Sequence, residues 1–486
     1  MRLTRCVWTA LIALLVAAAP AYAQEIGVKV LVGSWTDQPN PFSVEQVRDT
    51  IFQPVAGDAA GNGSETADGF IRALTGDGSW LQEAEAIEGV TSTFSSSDAP
   101  VTGCEVGSII QDLQTQAGVD PALFDRVIQV VPQMPACPGS GWAQIPGKEV
   151  LLNGVLNWRL VAHELLHNDG AQHAGACVAM QSNGGCQANS YGDPFDIMGQ
   201  STGSLAGFPS AVHQYESGRL DFDRIQPVSA DGVYEVSAAN NLTPTSLPKA
   251  LAINRGPGAW PFLTLETRIR RPYDDFLDPG ARIYNGVTVH LADFISPFPP
   301  NGISTALVPA NPSADPANAR TWPLAVCEAY TDPASGATVR PLSVGGGVAR
   351  VEIALGGRKL PERAECKGKG PGGGAVAEAA LKAKKTQRVR GKAVKVKVVV
   401  SSGEQASVRV GGTIKAGKKS HKLKPKKASL AAGESKKLTL KPKGAKAKRA
   451  IAKALRGHGK AKAKLKAKFT DAAGNKTTKK AKVTLR

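Results

Sequence analysis

The sequence predicts an α/β (α+β) domain, followed by a β-rich segment and a C-terminal all-β sandwich. Three observations support this order. Strand-like and helical patterns alternate over residues 27–168, strand-like runs follow Gly232, and Val alternates with Lys from residue 392 onward. A chain of 486 residues is too long for one compact core, so several domains are expected.

The N-terminus has the pattern of a cleavable secretory signal. Two early arginines precede an apolar run over residues 7–19, and an Ala-Tyr-Ala triplet at 21–23 supplies small residues for cleavage. The apolar run is too short for a membrane-spanning helix. We therefore expect residues 1–23 to be a signal peptide and the protein to be secreted, without a transmembrane anchor. Association with the cell surface stays open.

Cleavage would leave six cysteines, an even number that is typical of disulfides in exported proteins. Pairing of near neighbours gives three bridges, namely Cys104–Cys137, Cys177–Cys186 and Cys327–Cys366. Six cysteines allow fifteen connectivities, so this pairing is one among several. A cysteine metal site is disfavoured because the sequence contains no C-x-x-C pair.

Residues 24–226 are predicted to form the α/β domain. Apolar and β-branched runs indicate strands at 27–37, 124–133 and 148–154. A helix is expected over residues 43–52, because Ser43 is a suitable N-cap and apolar residues including Val47 and Ile51 lie on one face.

Three segments are predicted after this domain. Residues 227–358 contain short strand-like runs broken by Pro and Asn and form a β-rich companion segment. Residues 359–385 are rich in Gly, Ala and Lys and are a linker. Residues 386–486 are a basic β-sandwich, with one helix over 445–459 that Gly457 can end. Its Val and Leu alternation favours a folded module over lysine-rich disorder.

Charge is divided unevenly along the chain. Residues 367–486 carry 37 Lys and Arg but four acidic residues, whereas the whole chain carries 59 and 41. So basic a surface attracts polyanions. Residues 386–486 are therefore expected to bind anionic polymers or a cell-wall surface, with a solvated spacer as the alternative. Because Phe469 is the only aromatic residue after residue 366, sequence-specific nucleic-acid binding is not expected.

A histidine motif lies in the stretch VAHELLHNDGAQH, which has the full pattern H-E-x-x-H-x-x-G-x-x-H. His163 and His167 are one helical turn apart, so both imidazoles can reach one metal ion, with Glu164 beside them. Gly170 can take the positive φ that ends the helix and turns the chain, which brings His173 back as a third ligand. Surface histidines on a solvated helix are the alternative interpretation.

The extended motif resembles that of the metzincin zinc endopeptidases, and YGDPFDIMG at 191–199 resembles their Met-turn, most closely in the gametolysin-like branch. The resemblance is strong over residues 156–200 and looser elsewhere. It implies a two-lobed catalytic domain with one catalytic Zn²⁺ held by the three histidines. It also implies that Glu164 is the catalytic acid/base, and that Met198 lies under the ligands without binding zinc.

The resemblance implies hydrolysis of peptide bonds in extracellular proteins by a zinc-activated water that Glu164 deprotonates. An extended substrate is expected to pair with an exposed strand edge near residues 141–148. Residues 386–486 resemble the lysine-rich, immunoglobulin-like modules of exported bacterial proteins. The alternative to a peptidase is a binding or adhesion protein. In this alternative the chain is a non-catalytic protein on a metzincin scaffold that adheres to anionic surfaces.

Five further residues have weaker signals. Asp193 and Asp196 flank the Met-turn, where structural hydrogen bonds are favoured over calcium, a cofactor that no motif supports. Tyr215 follows at a place where some metzincins have a tyrosine near the metal. His213 and His290 have no metal-ligand spacing and are interpreted as structural.

Overall fold

A computed structural model describes most of the chain. The described ranges are 24–52, 65–199, 207–296, 299–311, 314–315, 317–366, 379–389, 394–402, 406–417, 419–430, 434–471 and 476–486. The predicted signal peptide lies outside them. Within these ranges, every helix is too short or too polar to cross a membrane.

The chain divides into two compact units. The first contains the residues up to Gln172 together with His213–Arg224, and the second contains His173–Val212 and Ile225–Arg486. The boundaries that the sequence places at 226, 358 and 385 stay predictions.

The first unit is built on one mixed sheet with helices. Its strands are β1 (Gln24–Ser34), β2 (Ser79–Glu83), β3 (Glu88–Thr91), β4 (Arg126–Val131), β5 (Gly141–Ala143) and β6 (Glu149–Asn153). Its helices are α1 (Val44–Ile51), α2 (Ala67–Thr75), α3 (Ala99–Thr102), α4 (Val106–Ala117) and α5 (Trp158–Asn168). Strand order is β2-β1-β4-β6-β5, with β3 also paired to β1. All pairs are parallel except β5, which runs antiparallel to β6 at the sheet edge.

Local sequence explains the first elements of this unit. Ser43 caps α1, and its side chain and that of Gln46 form a reciprocal capping box. Val47 and Ile51 are buried on one face of this helix. The predicted strands at β1, β4 and β6 and the predicted helix α1 are therefore confirmed.

The second unit begins with the segment after the histidine helix. Its first strands are β7 (His173–Met180), β8 (Cys186–Asn189), β9 (Ile225–Val228), β10 (Gly232–Ser237), β11 (Ala250–Asn254), β12 (Phe262–Glu266), β13 (Gly286–Ala292), β14 (Ile303–Leu307), β15 (Leu324–Ala325), β16 (Tyr330–Thr331), β17 (Thr338–Gly345) and β18 (Val348–Ala354). Most of helix α6 (Ala211–Glu216) belongs to the first unit, whereas helix α7 (Arg282–Asn285) lies between these strands in the sequence.

These strands form two sheets around one hydrophobic core. One sheet has the order β8-β7-β14-β13-β12-β11-β9, with β15 on β13, and the other has the order β10-β18-β17-β16. Strand β7 pairs in parallel with β14. The strand that starts at His173 is therefore built into the sheet of the predicted β-rich segment, a pairing that the sequence does not reveal.

The C-terminal part of the second unit is a separate β module. Its elements are β19 (Ala380–Lys382), β20 (Thr386–Gln387), β21 (Val396–Ser401), β22 (Ala406–Ala416), β23 (Lys419–Lys422), β24 (Lys426–Leu430), β25 (Ser435–Leu440), α8 (Ala445–His458), β26 (Ala461–Asp471) and β27 (Lys476–Leu485). A sheet of order β19-β21-β25 and a sheet of order β20-β27-β26-β22-β23, with β24 on β22, share one core. This layering agrees with the predicted sandwich.

One predicted boundary in this module is wrong. Helix α8 does not end at Gly457 but continues to His458, and Gly459 is its C-cap with a φ of 65°. The N–H of Gly459 donates to the carbonyl of Leu455 and closes the last turn. The buried side chain of Ile451 anchors the helix in the core, so packing as well as glycine content fixes its length.

The near-neighbour disulfide pairing is confirmed. The bridges are Cys104–Cys137, Cys177–Cys186 and Cys327–Cys366. The second bridge links β7 to β8 directly after the third histidine of the motif.

Candidate metal centre

Helix α5 carries the first two histidines of the motif. The side chain of Asn157 caps it by accepting the N–H of Leu160. His163 and His167 are only 2% and 4% exposed, and the helix is buried around its whole circumference. The interpretation of these histidines as a solvated surface patch is therefore wrong.

The chain turns sharply where α5 ends. Gly170 has a φ of 109°, and the N–H of Ala171 donates to the carbonyl of Leu166 over 3.0 Å. A Cβ at Gly170 would lie 2.9 Å from the carbonyl oxygen of Glu216. Backbone angle and available space therefore both require glycine, as the motif predicts.

The turn brings the three histidines of the motif together. Ligand atoms of His163, His167 and His173 all lie within 4.8 Å of one another. The rings of His163 and His167 are 4.6 Å apart and nearly perpendicular, and the ring of His173 lies 4.4 Å from that of Tyr191. Nδ1 of His167 lies 2.7 Å from the carbonyl oxygen of Ala171, which directs Nε2 of the same ring toward a metal.

This donor set fits zinc. Three imidazole nitrogens are a common set for catalytic zinc, which leaves one coordination position for water or substrate. In the described part of the chain, the triad is the one cluster of three or more His, Cys, Asp or Glu residues compact enough for a metal. The described residues thus provide no acidic cluster of this kind for calcium.

Glu164 directly follows His163, the first candidate ligand, and its side chain lies beside strand β5. It is 4% exposed, and its carboxyl group lies against the backbone of Gly141 in β5. A Cβ at Gly141 would lie 2.4 Å from Oε1 of Glu164. Burial raises the pKa of the Glu164 carboxyl to about 8. A cation held by the adjacent imidazoles would favour the charged carboxylate and oppose this effect.

Residues 141–148, which are predicted to pair with substrate, begin with strand β5 at the sheet edge beside α5. Strand β5 ends the order of its sheet, and Trp142 and Ile145 are 40% and 38% exposed. The side-chain amide of Asn168, the last residue of α5, donates to the carbonyls of Gln144 and Glu149. Asn168 thereby holds the β5–β6 connection against the histidine helix.

Met198 lies in a tightly bonded turn. It is fully buried, and its carbonyl accepts the N–H of Ala174, the residue after His173, over 3.1 Å. The Asp196 carboxylate accepts the N–H groups of Met198 and Ser210 over 2.9 and 2.7 Å. The structural interpretation of Asp196 is therefore confirmed.

The other weakly predicted residues have structural neighbours. Asp193 accepts the N–H of Phe195 and contacts Nε2 of buried His290 over 2.9 Å. His213 is fully buried. The ring of Tyr215 lies 5.5 Å from that of Phe222. The interpretation of His290 and Asp193 as structural residues is confirmed by these contacts, whereas a structural role for His213 and a metal-directed role for Tyr215 stay predictions.

Sequence reasoning missed three residues that shape this centre. Gly141 makes room for the Glu164 carboxyl, and Asn168 ties the edge segment to α5. Glu216 accepts the N–H of Gln172 at the turn before His173. Asn168 directly follows the second histidine, and Gly141 begins the predicted edge segment 141–148, but their contacts depend on tertiary packing. Glu216 lies far away along the chain and had no sequence signal.

The site defines a candidate metallopeptidase, and the comparison with protein families agrees. The family model of the gametolysin peptidase M11 matches residues 113–220, a stretch that contains the histidine helix and Met198. This match supports a gametolysin-like peptidase. A comparison with curated proteins found no match.

Solved structures resemble this chain only distantly. The periplasmic chaperone SfaE is 14% identical over 22% of this chain and 56% of its own, with a TM-score of 0.16. AT1g01470 from Arabidopsis thaliana is 14% identical over 23% and 76%, with a TM-score of 0.15. Catalytically inactive OgpA from Akkermansia muciniphila, in complex with an O-glycopeptide, is 7% identical over 96% and 97%, with a TM-score of 0.24. These scores are too low to carry an argument.

Proposed function

We propose that this protein is a secreted zinc-dependent endopeptidase of the metzincin type that hydrolyses peptide bonds in extracellular proteins. The observation that carries the proposal is the group of three imidazoles with ligand atoms within 4.8 Å, with buried Glu164 between the first two of them on helix α5. The family match over residues 113–220 supports the same class.

His163, His167 and His173 would hold the zinc ion. Bound there, zinc would supply a Lewis acid that lowers the pKa of a water and polarises the scissile carbonyl. Glu164 accepts the proton of the attacking water at its carboxylate and passes it to the leaving amine. The backbone at Gly141 confines this carboxyl group on one side.

The substrate chain would bind along β5. Its outer edge ends the sheet and offers backbone N–H and C=O groups to an extended peptide, the mode of strand addition. Exposed Trp142 and Ile145 flank this edge and are available to contact substrate side chains. Met198 is proposed as the apolar support of the ligands, in keeping with its burial.

Export and retention complete the proposal. Three disulfides are consistent with an oxidising compartment, which the predicted signal at residues 1–23 would reach. Residues 386–486 would hold the enzyme on anionic polymers or at a cell-wall surface through their positive charge.

The direct test is cleavage of unfolded casein by the purified chain, measured with and without a zinc chelator and beside Glu164→Ala. We expect cleavage that the chelator abolishes and that returns when zinc is added back. The Glu164→Ala variant should lose the activity while it retains zinc. Cleavage by this variant at the parent rate would contradict the proposed role of Glu164 and indicate a contaminating protease.

A further inference from the structure

The solvent face of one sheet in the C-terminal module is almost entirely basic. Along β26, Lys alternates with core residues: Lys462, Lys464, Lys466 and Lys468 are exposed, whereas the residues between them are buried. Side chains directly opposite in an antiparallel pair share a face, so the strand register extends this surface to neighbouring strands. We define the lysine face as these four residues of β26 with Lys480 and Lys482 of β27.

Like charges face each other across this surface. Lys466 lies opposite Lys480, and Lys464 lies opposite Lys482. On the other side of β26, Lys468 faces Arg409 of β22 and Lys462 faces Lys415. The remaining register positions on this face of β22 and β27 are Ser, Thr or Gly together with Lys476 opposite Thr470, with no acidic residue among them.

This arrangement weakens the sheet that carries it. Directly opposed like charges in a sheet are destabilising. Acidic residues at the alternating Thr positions would relieve the repulsion. Opposed like charges that no acidic neighbour offsets are typical of a functional surface.

We propose that the lysine face binds a linear anionic glycan, with carboxylate groups along its chain. The inference rests on the proposed retention by residues 386–486 and specifies its surface. Alternate residues of a strand are about 6.6 Å apart, so the face presents regular rows of ammonium groups to an extended polymer. The interspersed Ser and Thr hydroxyls can hydrogen-bond sugar hydroxyls and carboxylates.

The same residues disfavour nucleic acid as the ligand. Proteins that bind single strands stack the bases on aromatic side chains, but Phe469 is fully buried in the core of this module. The sequence after residue 366 offers no second aromatic side chain on which bases could stack, and this surface consists of lysine ammonium groups with Arg409 at its margin. Its hydrated, single-point ammonium groups suit many weak contacts with a flexible polymer.

The test compares two variants of the full chain that lose the same charge. The face variant combines Lys464→Gln, Lys466→Gln, Lys480→Gln and Lys482→Gln. The control combines the exposed Lys443→Gln, Lys446→Gln, Lys448→Gln and Lys453→Gln on and beside helix α8, whose Ile451 packs into the core on the other side of the sheet. Binding to immobilised polygalacturonate is measured over a series of salt concentrations.

We expect the face variant to bind about ten-fold or more weakly and with a flatter salt dependence, and the control to stay within about three-fold of the parent chain. The face variant should melt no lower than the parent, because the change removes repulsion. Equal losses in both variants would overturn the lysine face as a site and leave retention by overall charge. If the parent chain binds duplex DNA more tightly than polygalacturonate, and the face variant loses this binding, the assignment of a glycan as the ligand would be overturned. A parent chain that binds no polyanion would refute retention itself.

Discussion

Gly141 has no side chain, and this leaves room for the carboxyl group of Glu164. Its backbone lies in the edge strand β5, and a Cβ there would come within 2.4 Å of Glu164 Oε1 and 2.9 Å of its Cδ. Because atoms do not approach so closely, the carboxyl group can lie against β5 only while residue 141 is glycine. Gly141 is thus a positioning residue for the proposed acid/base.

Substitution Gly141→Ala should lower kcat for peptide cleavage by about ten- to a hundred-fold, because a displacement of about 1 Å in a catalytic group has effects of this size. Zinc content should stay at the parent level, since the ligands lie elsewhere. Gly89→Ala is the matched control, because Gly89 is a strand glycine of the same sheet with free space around its Cα. Unchanged kcat in Gly141→Ala would contradict this role.

At the level of secondary-structure elements, the end of helix α5 determines where the third ligand lies. Gly170 has a φ of 109° and little space toward the Glu216 carbonyl, and His173 follows three residues later. A substitution that strains this turn would therefore displace His173, a proposed metal ligand.

We expect Gly170→Ala to destabilise the fold by more than about 1–2 kcal/mol, the usual strain of a left-handed residue with a Cβ. It should also weaken zinc binding, as measured by competition with a chromophoric chelator. Gly218→Ala is the control for strain alone, because Gly218 has a φ of 69° and nothing near its Cβ position. Equal zinc affinity in the two variants would argue against a special role of this turn.

A buried ionic cluster supports the segment around Met198. Arg268 is 2% exposed and donates from Nη1 to the carbonyls of Phe195 and Phe208. Its guanidinium also lies 3.2 Å from a Glu266 carboxylate oxygen and 3.6 Å from one of Asp274. One cation thus connects Glu266 of strand β12 to Phe195 and Phe208, which lie on either side of Met198 in the sequence.

Replacing Arg268 by Met should lower the free energy of unfolding by about 3–5 kcal/mol, because it leaves buried carboxylates without their cation. Chemical denaturation measures this loss. Arg350→Met is the control: the Arg350–Glu235 pair is about half exposed, and such pairs contribute about 1 kcal/mol or less. A loss of similar size in both variants would show that the buried cluster does not stabilise this loop.

At the scale of the whole molecule, the basic charge and the proposed catalytic site belong to different parts of the chain. The C-terminal module has its own core, formed from residues 379–485. The histidine motif ends at residue 173, far away in the sequence. Retention and hydrolysis should therefore respond differently to salt.

Raising salt from about 50 to about 200 mM should weaken binding of the full chain to polygalacturonate by about a hundred-fold or more, since many ion contacts are lost together. Cleavage of a short uncharged peptide should change by less than about two-fold, because interactions at buried groups are weakly screened. Both quantities can be measured on one preparation. Parallel losses would mean that the basic module contributes to hydrolysis.

Features set by short stretches of sequence were predictable. Helix α1 follows from Ser43 and its apolar face, and the turn after α5 follows from Gly170 in the motif. Features that join distant residues were not. The parallel pairing of β7 with β14 and the contact of Gly141 with Glu164 depend on tertiary packing. The Lys alternation in β26 was visible, but its like-charged neighbours required the strand register.

The central claim is that the three motif histidines hold one zinc ion. Elemental analysis of the purified, folded chain tests it most directly, together with Glu164→Gln and His173→Ala. We expect about one zinc per chain in the parent and in Glu164→Gln, and a large loss in His173→Ala, since catalytic zinc needs three protein ligands. Parent protein without zinc after incubation with the metal, or a folded His173→Ala variant with its full zinc content, would contradict it.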